Sequence, residues 1–503
     1  MGWQILRSLF AGVCLGCLLF LLHYNVSTQQ RPSSQPSSTT PASDQNHPAT
    51  GGASSSSSSS TQLTTIATNS TTTTSSSQLS SSPEEERTSR VSSSRWQSDG
   101  LCYQHFHDHF PSDLDCDSAK ASQWKPATPP PSDQDMIHLI DQGCQHLRSV
   151  YCFPNESLTA EEAAYPLAYT LVAHKEMHQF TSLLSTIYWP QNAYCILYDK
   201  KAADTAGVYM KKLAECFPNV VLGEPVTIHW GAIGVLQASV NCLQALDRLE
   251  NSWNYVQTLT WADLPLKSNA QQVAIFRILN GSSDSELSRG QANRYAFHRD
   301  YNETTGEMKD NTSWTKTIPH NLTIYKGSWS STLSRSFVHW LLTDAIPMEY
   351  LEWLRDTYVP DEQFWSTLIH NQQLGGPSHY PGRCLDESKG WKTFISRFQS
   401  WPGQEDLHCR SDKWNSGSCV YGMADMRQLT TAPHLIAHKA YPDVEPALFH
   451  CIQKWHMEKT YGFISNTVNE SFYKQLPGVV YHNTLDKDKY QCPKQFSPAV
   501  WVT

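Results

Sequence analysis

The chain has 503 residues, 14 Cys, 17 Trp, 22 Tyr and a formal charge of -9. Its length allows more than one domain. The mild acidity argues against the basic face that nucleic-acid binding needs, so no nucleic-acid partner is expected.

The first element is the apolar run SLFAGVCLGCLLFLLHY, residues 8–24, with Arg7 before it and no basic residue until Arg31. At about 1.5 Å per residue it nearly spans a bilayer core of about 30 Å. No clear small-x-small cleavage site follows Leu22, so an uncleaved signal anchor is preferred to a cleaved signal peptide. Residues 1–7 are then a cytosolic tip by the positive-inside bias. Residues 25–98 are mostly Ser, Thr, Gln and Pro, which cannot bury enough apolar surface to fold and read as an O-glycosylated stem. Residues 99–164 lead into the domain proper, expected over 165–455, with a C-terminal extension over 456–503.

Cysteines from Cys102 onward lack paired CxxC spacing, so disulfides in an oxidising lumen are expected rather than zinc. Eight N-glycosylation sequons agree with that compartment: Asn25, Asn69, Asn155, Asn280, Asn302, Asn311, Asn321 and Asn469.

From Tyr165 the pattern alternates. PLAYTLVAH reads as a buried strand ending at His174, and KEMHQFTSLLSTIY has helical spacing. NAYCILYD is a second strand, ending at Asp199. A helix (AGVYMKKLAECF), a strand (NVVLGE), a strong helix (GVLQASVNCLQALDRL) and a strand (YVQTLTWADLPL) follow. The order βαβαβαβ predicts an α/β fold with a mostly parallel sheet covered by helices. Ligands bind beyond the carboxyl ends of such strands, where His174, Asp199 and Asp263 fall.

The chain lacks GxGxxG after the first strand, GxxxxGK[ST], and GxSxG. His174 and His178 are spaced i,i+4, but two ligands on one helix do not close a zinc site. The second strand ends in YDKKA, a single Asp before two lysines, where many sugar-nucleotide enzymes carry Asp-x-Asp. A diphosphate bound there without a metal would need Lys or Arg to offset its charge. One further stretch, PHNLTIYKGSW, combines the Asn321 sequon with a strand that breaks at Gly327.

The segments PLAYTLVAHK, IYWPQNAYCILYDKKA, VLQASVNCLQAL, WNYVQTLTWADLPLKSN, DTYVPDEQFWSTL and GSCVYGMADMRQL occur in order between about Tyr165 and Cys451. Together they resemble the core 2 β-1,6-N-acetylglucosaminyltransferases of the Branch family (glycosyltransferase family 14). The resemblance implies a GT-A-type fold, a type II Golgi membrane protein and metal-independent inverting transfer. It implies N-acetylglucosamine moved from UDP to a glycoprotein O-glycan. Two other readings stand beside it, transfer of glucose or xylose and an inactive glycan-binding ectodomain. Its partners would be a UDP-sugar, the O-glycan acceptor, the Golgi membrane and, in one reading, a second copy of the chain.

By the same resemblance Val172, His174, Asp199, Trp230, Asp263 and Lys439 would meet the donor, with Lys439 on the diphosphate. A family Arg that assists falls at Ser416, leaving Arg410 or Lys413 as substitutes. Glu286, Arg294 and Tyr358 would border the acceptor. The family's catalytic Glu aligns with Asn321, which cannot take a proton, so Glu362 or Asp361 is the expected substitute base. Implied disulfides are Cys195–Cys242, Cys152–Cys216, Cys409–Cys419 and Cys116–Cys451.

Overall fold

The structure, a computed structural model, describes residues 109–494 and Phe106, except residues 250–251, 378, 388–393 and 404–406. The anchor and stem, with Asn25 and Asn69, lie outside the described residues. Among the described residues no helix is long and apolar enough to cross a membrane.

The predicted strands and helices form in the predicted order. Strands β1 (Ala168–Ala173), β2 (Ala193–Tyr198), β3 (Val220–Leu222) and β4 (Tyr255–Thr260) alternate with helices α1 (Met177–Ile187), α2 (Ala206–Glu215) and α3 (Gly234–Asp247). Each helix begins after a polar or Gly-containing turn and buries an apolar stripe. β1 pairs in parallel with both β2 and β4, and β2 with β3. The strand β10 (Thr332–Ser334) closes the other edge, antiparallel to β4, giving the order β10-β4-β1-β2-β3.

Period-two alternation sends each strand's side chains to two cores. Tyr169, Leu171, Tyr194 and Ile196 enter one, against α1, α2 and α4 (Asn269–Leu279). Ala168, Ala193, Cys195 and Leu197 enter the other, against α3 and α5 (Asp361–His370). Both faces are covered, so the strands read as continuous apolar runs. A smaller sheet, β11 (Arg397–Phe398), β14 (Ile436–His438) and β5 (Asp263–Pro265), extends from the end of β4.

Described residues flanking 165–455 pack into the same core. Met136, Ile140, Leu147 and Phe153 from one side, and Phe472, Tyr473, Leu476 and Val479 from the other, join the same core. Three implied disulfides form: Cys195–Cys242, Cys409–Cys419 and Cys116–Cys451. The fourth does not. Cys216 bonds Cys144, and Cys152 is bonded to another cysteine. Helix 144–150 places Cys144 beside the end of α2, a geometry that sequence order does not reveal. Cys384–Cys492 is a further bridge that sequence reading missed, tying the C-terminal segment down.

Lys267 and Lys459 are buried, and no carboxylate pairs with either among the described residues. Burial lowers both ammonium groups to about 7. The unfolded chain then binds more protons than the folded one between pH 7 and the ordinary lysine range. Stability should therefore rise with pH above 7, by up to about 1.4 kcal/mol per unit for each lysine. Urea unfolding of wild type and Lys267→Met at pH 7 and pH 9 checks this: the variant should show a shallower rise.

Candidate active site

The carboxyl ends of β1, β2 and β4 lie side by side. His174 follows β1 and is exposed, with its ring 6.1 Å from Trp261 beyond β4. Partial burial, and then the Lys175 ammonium, hold its imidazole below the usual value. Val172, half-buried, is the penultimate residue of β1. Asp199 follows β2 and accepts from the backbone N–H of Lys201 at 3.0 Å and of Ile228 at 3.2 Å. Its other oxygen meets Lys201 Nζ at 2.7 Å.

This wall continues through stacked side chains. Trp261 lies 5.4 Å from Tyr441, and the Lys439 ammonium is 5.6 Å from the Tyr441 ring centroid. Lys439 is buried at the end of β14, and burial lowers its pKa. Its Nζ donates to the Asn415 carbonyl at 2.7 Å. Asn415 belongs to the hairpin of β12 (Trp414–Asn415) and β13 (Ser418–Cys419). Ser416 forms the hairpin's turn with φ 49° and supplies no charge. Of its two substitutes, Lys413 is taken by Glu445 at 2.5 Å.

Asp263 is enclosed by protein. Its side chain has no solvent exposure, and its oxygens accept from Arg397 at 3.1 Å and His438 Nδ1 at 2.7 Å. Burial raises its pKa, but the Arg397 and His438 charges outweigh this and hold it low. The expected donor contact is corrected to a positioning role: Asp263 fixes the strand residue next to Lys439. A buried carboxylate needs such partners, and β5–β14 pairing puts His438 opposite it.

The second wall centres on α5. Its N-terminal Glu362 accepts from Arg294 Nη1 at 2.6 Å and lies 3.2 Å from Lys326 Nζ. Lys326 was not singled out from sequence; it sits on the short strand β9 (Tyr325–Lys326), paired with β6 (Ser288–Arg289). Glu286 precedes β6, and its carbonyl accepts from Ser366 Oγ on α5. Asp361 is buried, and burial followed by the Glu362 charge pushes its carboxyl up to about 7. The Tyr358 N–H donates to the Arg294 carbonyl at 3.1 Å.

Trp230 is 78% exposed and packs edge-on to Tyr358 at 5.8 Å, so it stands with the acceptor wall rather than in a buried nucleotide pocket. The two walls are joined below. Arg397, bound to Asp263, lies 5.4 Å from the Trp329 ring, in the same chain segment as Gly327.

Asn321 is elsewhere. Thr323 N–H donates to Asn371 Oδ1 at 2.9 Å, Tyr325 N–H to Thr367 Oγ1 at 3.1 Å, and Gly327 N–H to the Glu362 carbonyl at 2.6 Å. The segment thus runs antiparallel along α5, from just past its C-terminal end to its first turn. Asn321 is exposed at the far end, about 15 Å of helix away from Glu362 at 1.5 Å per residue. Its expected place in the cleft is corrected, and its sequon is a surface site. The exposed Asn155, Asn280, Asn302 and Asn469 and the half-buried Asn311 complete the described sequons.

Gly327 allows the close approach that brings Lys326 to Glu362. A Cβ there would lie 1.9 Å from Ser366 Oγ and 2.3 Å from the Glu286 carbonyl oxygen. Gly327→Ala should therefore force β9 off α5, lowering the melting temperature by several degrees, as expected for about 1–3 kcal/mol of overpacking. Calorimetry checks it.

Residues 167–430 match the family described as Branch: Core-2/I-Branching enzyme. The chain belongs to this family. The Branch domain therefore begins just before β1 and includes both walls up to the approach to β14; Lys439 lies beyond the matched residues. A human N-acetyllactosaminide beta-1,6-N-acetylglucosaminyl-transferase is 32% identical over 332 residues, 64% of this chain and 79% of that one. A zebrafish (Danio rerio) beta-1,3-galactosyl-O-glycosyl-glycoprotein beta-1,6-N-acetylglucosaminyltransferase 4 is 34% identical over 320 residues, 61% of this chain and 73% of that one. With this Branch domain the chain is a glycosyltransferase.

Proposed function

We propose that the chain transfers N-acetylglucosamine from its UDP donor to a glycoprotein O-glycan in β-1,6 linkage, with inversion and without a metal. The observation that carries this reading is Glu362: a carboxylate at the acceptor wall, oriented by Arg294 and Lys326, beside Tyr358 and the exposed Trp230.

The chemistry follows from the two walls. A Glu362 oxygen removes the proton from the acceptor's 6-hydroxyl as that oxygen attacks the anomeric carbon. The bond from that carbon to the diphosphate breaks, and UDP leaves with its electron pair. Such a base supplies about 10²–10⁴ of the rate. Lys439 offsets the charge growing on the diphosphate, the role a metal plays elsewhere. The metal-free reading is supported by Asp199, which is bound to Lys201 and the Ile228 amide. Asp361 is the weaker candidate base, since its buried carboxyl holds a proton below about pH 7.

The reading of an inactive ectodomain, or of another sugar, arose from Asn321 in the base's slot. The position of Asn321 at the far end of α5, away from Glu362, favours N-acetylglucosamine transfer over both. The anchor, stem and sequons support a Golgi membrane protein acting in protein O-glycosylation. The test is UDP release by the purified full-length chain from UDP-N-acetylglucosamine, UDP-glucose and UDP-xylose, with O-glycan and peptide acceptors. The expected result is release dependent on UDP-N-acetylglucosamine and O-glycan together. Release with another donor alone, or glycan binding without release, contradicts the proposal.

A further inference from the structure

Beyond the two walls, one hairpin packs against the acceptor wall at two places. Strands β7 (Phe297–Tyr301) and β8 (Met308–Thr315) form it, largely outside the two main cores. Its turn meets the loop that carries Trp230. His229 Nε2 lies 3.2 Å from the Glu303 carbonyl, and a Cβ on Gly306 would come within 2.4 Å of His229 Nδ1. Its base is fixed by Arg299, a buried arginine that no sequence motif marks.

All three nitrogens of the Arg299 guanidinium are engaged. Nη2 donates to the Asn293 carbonyl at 2.5 Å, Nη1 donates to the Arg294 carbonyl, and Nε pairs with Asp310 across the hairpin at 2.7 Å. The same guanidinium lies 5.9 Å from the Tyr358 ring centroid. The Arg294 carbonyl is therefore shared, accepting from Arg299 and from the Tyr358 N–H. It fastens the Arg294 turn to the Tyr358 segment, while the Arg294 side chain reaches Glu362.

We propose that Arg299 is a positioning residue for acceptor binding, setting Arg294 and Tyr358 in register with Glu362. The role rests on the acceptor wall described above. A planar fork with five donors can hold two successive carbonyls and a carboxylate at once; a lysine ammonium cannot reproduce that geometry. Because its contacts run to Asn293, Arg294, Asp310 and Tyr358, its loss should act on the acceptor wall.

The experiment compares Arg299→Met, Arg299→Lys and Asp310→Asn in the full-length chain, with the acceptor varied at saturating UDP-N-acetylglucosamine. Binding of the O-glycan disaccharide is read in parallel by saturation-transfer NMR, and binding of UDP by calorimetry. Arg299→Met should raise the acceptor KM about tenfold or more, the scale of a misplaced contact, with UDP affinity unchanged and kcat nearly so. Arg299→Lys should fall between it and wild type. Asp310→Asn, which leaves the two carbonyl bonds in place, should stay within about twofold of wild type. An unchanged acceptor KM and unchanged disaccharide binding in Arg299→Met overturn the proposal. So does a parallel loss of UDP affinity, which would mark a general structural role. A wild-type chain that releases no UDP tells against the functional reading instead, and disaccharide binding by wild type and variant then decides the Arg299 role independently.

Discussion

Glu362→Gln should lower kcat by about 10²–10⁴-fold while leaving UDP affinity at the wild-type level. The amide keeps the size of the side chain and an oxygen that Arg294 can donate to, but it has no basic carboxylate. Arg294 and Lys326 converge on that oxygen, so the loss is chemical before it is geometric. Asp361→Asn should behave differently and stay within several-fold of wild type below about pH 7. Burial and the Glu362 charge already keep that carboxyl protonated there, and Asn replaces a neutral group with a neutral one. Initial rates and UDP calorimetry on the two variants separate the candidates. A Glu362→Gln enzyme with near-normal kcat, beside an inactive Asp361→Asn, would reverse the assignment.

Lys439→Ala should weaken UDP binding about 10–100-fold, the value of a charge-assisted contact of about 1.5–3 kcal/mol. The ammonium is buried at the end of β14, and burial lowers its pKa. It is held toward the donor wall by the Asn415 carbonyl, and an anion can displace that neutral partner. Ser416 offers no second cation from the turn, and Lys413 is neutralised by Glu445. With Ser416 and Lys413 supplying no free charge there, the loss of Lys439 should be correspondingly large. Calorimetric titration with UDP checks it, and an unchanged Kd would remove Lys439 from the donor site.

Local signals carried most of the fold. Both faces of β1 and β2 are buried, so their apolar runs are long and uninterrupted, and the alternation with α1 to α3 fixes a parallel sheet. The placement of His174 and Asp199 at the ends of β1 and β2 was legible from the apolar runs that precede them. What sequence could not show depends on contacts distant in the chain. Asp263 looked like a ligand residue because it ends a strand run. Only the pairing of β5 with β14 reveals that Arg397 and His438 enclose it. Asn321 looked catalytic by alignment to Gly327, yet the segment runs the length of α5 and leaves it at the far end. Lys326 and Arg299 carry no motif at all. Their importance comes from β6–β9 and β7–β8 pairing, which places them beside Glu362 and Arg294. Cys144 and Cys152 are both close in sequence to the end of the first helical segments, and spacing does not choose between them for Cys216.

The central claim is that the cleft between these walls builds an inverted, branching sugar linkage. The most direct measurement is NMR of the product formed by the purified chain from UDP-N-acetylglucosamine and galactose-β-1,3-N-acetylgalactosamine, in the presence of a chelator. The account predicts a single new β-anomeric N-acetylglucosamine on the 6-hydroxyl, formed without added metal. An α-linked product, or transfer only after a divalent metal is restored, would contradict it.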